Sequence, residues 1–272
     1  MGPAATQVTA NVTEHTPGTF GWAELATHDA AQAKTFYGAL FGWTFQDNPM
    51  SDDGSVYSMA QLGEGLNIVG LYEQDAEMRA HEVPAHWLNY INVADIEATA
   101  AAARRLGGTV AIDPFEVGEN GSMSVIVDPT GATVALWQPG SHIGADVLNL
   151  PGSMCWHELA TPNSVEARRF YGGLFGWQVD QQMGDNYSAM SLDGSSVCGI
   201  MQMDADWEGI PPHWMTYFTV EDCDLSARRA RDLGGDVKVP CTDIEGVGRF
   251  AVCTDPDGVL FSIISLNEPP TQ

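Results

Sequence analysis

The chain contains the same sequence pattern twice. Residues 18–43, GTFGWAELATHDAAQAKTFYGALFGW, recur at 152–177 as GSMCWHELATPNSVEARRFYGGLFGW, at a constant offset of 134 positions (152 − 18). Later blocks, at 86–95, 106–108 and 128–131, recur at an offset of 127 (213 − 86), so the second copy is seven residues shorter between the blocks (134 − 127). Self-similarity on this scale indicates a tandem duplication and predicts two domains with one fold.

A fainter repeat divides each copy into two modules. Asp29 and Asp95 each lie eleven residues before a leucine that a glycine soon follows, and Asn163 and Asp222 do the same in the second copy. Asp and Asn accept hydrogen bonds from the free amides at a helix N-terminus, and glycine commonly ends a helix. A strand-like run precedes each of these residues, and short runs broken by glycine and Asp-Pro turns follow each helix. Strand, helix and about three strands, four times over, is a βαβββ array.

Composition argues against several classes of partner. The chain has 36 Asp and Glu residues against 11 Lys and Arg, a formal charge of −25. A surface this negative repels phosphate backbones and anionic lipids, so we expect neither nucleic acid nor a membrane as a partner. The five cysteines are odd in number and show no CxxC spacing, which is typical of buried thiols in a reducing compartment rather than a disulfide framework.

The ends of the chain and its linker have a distinct composition. The first seventeen residues have neither the basic nor the apolar segment of a secretory signal, so a cytoplasmic location is expected, with non-classical export left open. The predicted organisation is a flexible arm at 1–17, a first domain at 18–139 with modules 18–75 and 84–139, a linker at 140–152, a second domain at 153–267 with modules 153–204 and 211–267, and a tail at 268–272.

The repeated motifs resemble those of the vicinal-oxygen-chelate superfamily, which includes glyoxalases, bleomycin-resistance proteins and extradiol dioxygenases. The resemblance is carried by FYGALFGW, by the PxHW start of each second module and by the DPxGxxxxLW-like ending, and it extends from Gly18 to Leu266. More specifically, the motifs resemble those of tandem glyoxalase-like proteins of actinomycetes that are described as hydroxylase, antibiotic-resistance or culture-filtrate proteins. It implies an α+β fold in which four βαβββ modules form two tandem glyoxalase-like domains, each a curved mixed sheet around a ligand-holding cup.

The superfamily's metal ligands have no counterpart at the matching positions of this chain. In the superfamily that the chain resembles, the metal ligands lie on the first strand of each module, seven residues before the residue that caps the helix, and on the closing strand. Those positions hold Trp22, Leu88, Trp156, Met215, Ala135 and Ser262. A divalent ion needs three or four N or O ligands, so we expect no metal and no other cofactor, and orthodox glyoxalase or extradiol chemistry is disfavoured.

A polar pair is predicted on the floor of each cup. Residues two apart on a strand share a face, so Glu24 and Glu158 point into the cups. If the first strands of the two modules pair symmetrically about the pseudo-twofold axis, Glu24 lies opposite His86, and Glu158 lies opposite His213. Such a pair is a candidate acid–base couple or half of an unusual metal site, but it is equally a structural tie between two strands, and both readings stay open.

Aromatic and apolar side chains are candidates to line the ligand pockets. These are Trp22, Tyr57, Leu88, Tyr90, Trp156, Tyr187, Met215 and Tyr217. Arg249 is the only cation of the last strand group and is a candidate to hold an anionic group of the ligand. His157 has the opposite strand parity from Glu158 and is predicted to be a surface or helix-packing residue.

Two functional classes remain. The first is a metal-free protein that binds and sequesters a small hydrophobic or planar molecule, as resistance members of the superfamily do. The second is a glyoxalase-like enzyme of lyase, isomerase or hydroxylase type, which would use the Glu–His pairs or a noncanonical divalent metal. The loss of the usual ligands favours the first class. Because four modules can close two cups within one chain, a monomer or weak dimer is expected.

Overall fold

The computed structural model describes residues 9–50 and 54–267. A short strand, β1 (Thr9–Ala10), precedes the first copy. The first copy then contains β2 (Phe20–Thr27), α1 (Ala30–Phe41), β3 (Thr44–Pro49), β4 (Val56–Leu62), β5 (Leu66–Glu73), α2 (Ala76–Ala80), β6 (His86–Asn92), α3 (Ile96–Arg105), β7 (Thr109–Glu116), β8 (Gly121–Val127) and β9 (Thr133–Pro139).

The linker and the second copy continue this series. The linker contributes β10 (Val147–Leu148). The second copy contains β11 (Met154–Thr161), α4 (Ser164–Phe175), β12 (Gln178–Met183), β13 (Tyr187–Leu192), β14 (Ser195–Gln202), a 3-10 turn (Ala205–Trp207), β15 (His213–Thr219), α5 (Cys223–Asp232), β16 (Asp236–Ile244), β17 (Gly248–Thr254) and β18 (Leu260–Leu266).

Each copy forms one eight-stranded mixed sheet. The strand orders are β3-β4-β5-β2-β6-β9-β8-β7 and β12-β13-β14-β11-β15-β18-β17-β16. The first strands of the two modules, β2 with β6 and β11 with β15, pair antiparallel at the centre of each sheet. Parallel pairs, such as β2 with β5 and β6 with β9, flank them. The predicted α+β fold of four βαβββ modules in two tandem domains is confirmed.

The helices begin where the sequence predicts. The Asp29 carboxylate accepts a hydrogen bond from the Gln32 amide at 2.9 Å, and the same arrangement caps the helices that follow Asp95, Asn163 and Asp222. Helix α1 ends at Gly42 with φ of +79°, a left-handed conformation that glycine adopts without steric penalty. The side-chain caps satisfy amides that the first turn of each helix would otherwise leave unpaired.

Two hydrophobic cores are each shared between the domains. The first joins module 18–75 with module 211–267 and includes Phe36, Tyr37, Phe218 and Phe261. The second joins module 84–139 with module 153–204 and includes Ile91, Ile126, Phe170 and Tyr171. Each sheet joins the two modules of one domain, whereas each core joins modules of different domains. Each module is therefore fixed to two others.

A buried tyrosine links the domains in each core. Tyr171 Oη donates to Asp128 Oδ2 at 3.0 Å and accepts from Trp214 Nε1 at 3.0 Å. Tyr37 makes the equivalent contact with Asp255 at 3.1 Å. These bonds satisfy polar atoms that the apolar core would otherwise leave unpaired.

We expect Tyr171→Phe to destabilise the protein by about 2–3 kcal/mol, because it leaves a buried carboxylate oxygen and an indole N–H without their partner. Urea denaturation followed by tryptophan fluorescence and circular dichroism measures the change. Tyr72→Phe is the matched control, and we expect it to change stability by less than about 0.5 kcal/mol. Equal effects of the two substitutions would contradict the proposed importance of the Tyr171 contact.

The N-terminal arm pairs with the linker. Strand β1 is antiparallel to β10, the Val12 amide donates to Asp146 O at 2.8 Å, and His15 Nε2 donates to Ala145 O at 2.9 Å. Part of the predicted flexible arm is thus paired with the linker, a contact that the sequence pattern did not show. Residues 1–8 and the predicted tail at 268–272 lie outside the described residues.

The remaining expectations concern thiols and membranes. All five cysteines are free thiols. In the part of the chain that the structure describes, none of the helices combines the length and apolarity required to cross a lipid bilayer.

Candidate ligand-binding cups

One face of each sheet carries the residues that the sequence singles out. The face of the first sheet that carries Trp22, Glu24 and Tyr90 is called cup 1. The corresponding face of the second sheet, which carries Trp156 and Glu158, is called cup 2. The opposite faces pack against the helices and the other domain. Alternation along β2 and β11 places the tryptophan and the glutamate on the same side, as predicted.

In cup 1, a buried carboxylate accepts hydrogen bonds from two tyrosines. Tyr90 Oη donates to Glu24 Oε1 at 2.6 Å, and Tyr57 Oη donates to Glu24 Oε2 at 3.0 Å. Trp22 Nε1 in turn donates to Tyr57 Oη at 3.0 Å. Burial raises the pKa of Glu24, although the two phenol hydrogen bonds oppose this rise by stabilising the charged form.

Cup 2 repeats the same cluster. Trp156 Nε1 donates to Tyr187 Oη at 3.1 Å, and Tyr217 Oη donates to Glu158 Oε1 at 3.1 Å. Tyr187 is also hydrogen-bonded to Glu158. Burial raises the pKa of Glu158 to about 7. Near neutral pH this carboxyl therefore exists in both protonation states, and it can accept or donate a hydrogen bond.

A glycine allows each tyrosine to reach the carboxylate. A Cβ atom placed on Gly70 would lie 1.9 Å from Tyr57 Oη, and one placed on Gly199 would lie 2.0 Å from Tyr187 Oη. Both tyrosine rings therefore pass over a strand at a position that has no side chain. Sequence reasoning missed the role of Gly70 and Gly199. The available signal was a glycine at the same place in LNIVGLY and SVCGIM.

The predicted Glu–His pairs are not formed. Strand β2 pairs with β6 so that Glu24 lies opposite Leu88, and His86 lies opposite Ala26. His86 Nδ1 is instead 2.8 Å from Pro84 O, at the start of its strand. The prediction failed because two registers that differ by two residues present the same side chains to each face, so alternation cannot distinguish them.

The second sheet shows the same register. Glu158 lies opposite Met215, and His213 lies opposite Ala160. His213 Nδ1 is 2.9 Å from Pro211 O. The partners of each glutamate are thus tyrosines that the sequence analysis had assigned to the pocket lining.

Arg249 does not point into cup 2. Its guanidinium binds Asp224 at 2.8 and 3.1 Å and Asp243 at 2.8 Å. The adjacent Phe250 lies on the cup side, where its ring centroid is 6.4 Å from that of Tyr217. Strand alternation therefore turns Arg249 towards α5, and its predicted contact with an anionic ligand is wrong.

His157 lies between the two domains. Its ring stacks on Phe20 at a centroid distance of 4.1 Å, and Nδ1 is 2.9 Å from Asn89 Oδ1. Burial lowers the pKa of His157 to about 3, so the imidazole is neutral. It is an interdomain packing residue rather than a surface or helix-packing one.

The donor set of each cup does not fit a divalent cation. Each cup offers one carboxylate, and the phenols of Tyr90 and Tyr217 are held protonated because burial raises their pKa values well above the ordinary range. Within residues 9–50 and 54–267, no three His, Cys, Asp or Glu side chains converge in a way that could hold a metal ion. A tightly bound Zn²⁺ or Mn²⁺ needs three or four N or O ligands.

Both copies of the repeat match known proteins. The profile of the Glyoxalase/Bleomycin resistance protein/Dioxygenase superfamily matches residues 19–136 and 154–263. The chain is 39% identical over 255 residues to "Putative glyoxylase CFP32" of Mycobacterium tuberculosis, across 92% of this chain and 96% of that protein. It is 32% identical over 267 residues to the anthracycline biosynthesis protein DnrV of Streptomyces peucetius, across 94% and 96% of the two chains. The Mn(II)-bound glyoxalase of Novosphingobium aromaticivorans has the same fold, with a TM-score of 0.65, 16% identity and coverage of 93% of this chain and 83% of that chain.

Proposed function

The chain belongs to the Glyoxalase/Bleomycin resistance protein/Dioxygenase superfamily, and from that premise we propose that it binds a small planar organic molecule without a metal ion. The matches to both copies confirm the resemblance inferred from the repeated motifs. The proposal goes beyond membership of the superfamily, because superfamily members share a fold and not one reaction.

The observation that carries the proposal is the duplicated Trp–Tyr–Glu–Tyr cluster. Aromatic rings such as Trp156 provide flat apolar surfaces on which a planar molecule stacks. The carboxyl of Glu158, with its pKa raised to about 7, provides one polar contact for a hydroxyl or amine of the ligand. A few polar groups among aromatic walls are typical of small-molecule sites.

Charge narrows the class of ligand. With a formal charge of −25, the protein repels anions at long range, so a neutral or cationic molecule is favoured. One relative is named for anthracycline biosynthesis, and anthracyclines are polycyclic aromatic compounds, which supports a planar ligand. Sequestration of such a molecule, as in resistance proteins, requires a binding site but no catalytic group.

A second candidate function is proton-transfer catalysis. A catalytic base works best when its pKa lies near the operating pH, and burial gives Glu158 a pKa of about 7. In this reading Glu158 would remove a proton from a bound carbon acid, and Tyr217 would stabilise the carboxylate by donating to it. The relative named as a glyoxylase supports keeping this candidate.

Binding is tested with 2,6-dihydroxynaphthalene, a planar neutral molecule with two hydrogen-bond donors, by calorimetry at pH 7. We expect saturable binding that weakens about tenfold in the double variant Glu24→Gln/Glu158→Gln, because the hydroxyl loses a charge-assisted acceptor. 2,6-Dimethoxynaphthalene, which has no donor, should bind wild type and double variant equally.

Two results would change the proposal. Absence of binding, or equal binding of the diol by wild type and double variant, would contradict it. Turnover of a 2-oxoaldehyde that persists in excess EDTA and is lost in Glu158→Gln would favour the enzymatic candidate over simple binding.

A further inference from the structure

The linker covers cup 1. In cup 1, His142 of the linker lies edge-on against Trp22, with ring centroids 4.6 Å apart. Trp137 Nε1 donates to His142 O at 3.0 Å and holds the linker in place. Trp22 is only 4% exposed, and His142 Nε2 is buried without a hydrogen-bond partner among the described residues. The imidazole therefore rests against the aromatic surface of cup 1.

The chain next to cup 1 is shaped to admit this linker. A Cβ atom on Gly144 would lie 2.5 Å from Gly21 O, so this glycine is required for the close approach of the linker to β2. The linker residue Asp146 then binds Asn67, with its amide 2.8 Å from Asn67 O and its carboxylate 2.8 Å from Asn67 N.

Among the described residues, cup 2 differs from cup 1 at three corresponding positions. Ile264 replaces Trp137, and Cys155 replaces Gly21. Ser196 replaces Asn67, and its hydroxyl is buried without a partner among the described residues. Trp156 is partly exposed, whereas Trp22 is buried.

We propose that cup 2 is the ligand-binding cup and that the linker, through His142, closes cup 1. This inference rests on the proposed function. In cup 1 the imidazole takes the place against Trp22 that the ligand's ring takes against Trp156 in cup 2. The ligand is accordingly a flat, uncharged aromatic molecule, and Glu158 gives it a polar contact. The chain binds one such molecule rather than two.

Closure of cup 1 is tested without a ligand by acrylamide quenching of tryptophan fluorescence. We expect Trp156→Phe to remove more of the quencher-accessible emission than Trp22→Phe does. His142→Ala should increase the accessible emission, and this increase should disappear in His142→Ala/Trp22→Phe. Equal accessibility of Trp22 and Trp156 in the wild type, or no effect of His142→Ala, would overturn the closure of cup 1.

The ligand-binding cup is identified by calorimetry with 2,6-dihydroxynaphthalene. We expect one equivalent per wild-type chain, at least tenfold weaker binding in Trp156→Leu, and affinity within twofold of wild type in the matched Trp22→Leu. His142→Ala should raise the number of bound equivalents to two.

The outcomes separate this inference from the proposed function. Two equivalents in the wild type, or weakening by Trp22→Leu instead of Trp156→Leu, would overturn the assignment of cup 2 but leave the proposed function standing. No binding at all would overturn the proposed function and the assignment of cup 2 together, whereas the quenching result would still decide whether His142 closes cup 1.

Discussion

Gly70→Ala should destabilise the protein by about 3 kcal/mol or more, because the new methyl group overlaps a tyrosine ring that cannot move without breaking a buried hydrogen bond. The added Cβ would lie 1.9 Å from Tyr57 Oη and 2.5 Å from Tyr57 Cζ. Displacement of that ring also removes one of the two phenols that donate to Glu24. The change is measured by urea denaturation at constant pH.

A compensating substitution is the control for this prediction. In Gly70→Ala/Tyr57→Ala the overlap no longer exists, so the double variant should be less destabilised than the sum of the two single variants by at least about 1 kcal/mol. Strict additivity would show that the two residues do not interact, and it would remove the explanation given for the repeated glycine.

The stability of the protein should fall by up to roughly 3 kcal/mol between pH 4.5 and pH 7 because of Glu158 alone. Burial raises its pKa from 4.5 to about 7 in the folded state. Below pH 4.5 the carboxyl is neutral in both states and the contribution is fully present. As the pH rises, the unfolded state ionises first, so the contribution is lost progressively until the pH passes the folded-state pKa. Since Glu158 keeps some contact with solvent, this figure is an upper value.

Glu158→Gln is the matched variant, since glutamine keeps the shape and the ability to accept from Tyr217 but does not titrate. The difference in unfolding free energy between variant and wild type should grow in favour of the variant from pH 4.5 to pH 7 and then level off. A difference that is independent of pH would show that Glu158 titrates normally.

The sequence was sufficient for the fold because the decisive signals are local. Asp29 and its three counterparts identify the helix starts, and the repeat offsets identify the copies. Strand alternation also predicted correctly that Trp22 and Glu24 share a face. The caps and the alternation depend on residues within about one element of each other, and the repeat is recognised by comparing the two copies directly.

The details of the site depend on relations between distant segments. Tyr57 and Tyr90 were predicted to line a pocket, but their bonds to Glu24 depend on a strand register that alternation cannot fix. The position of His142 depends on how the linker folds back over cup 1, which has no local sequence signature. Which face of β17 lines the cup depends on the tertiary structure, and Arg249 lies on the other face, where it binds Asp224 and Asp243.

The cross-domain cores explain why the two copies are joined in one chain. Helix α1 buries Phe36 and Tyr37 against Phe261 of the other copy, so a half-length protein of this type would expose that surface unless a second chain covered it. An ancestor with a single copy would thus have been an obligate homodimer, in which any mutation altered both cups at once. In one chain the two copies can differ in sequence, as they do where Ile264 stands in place of Trp137.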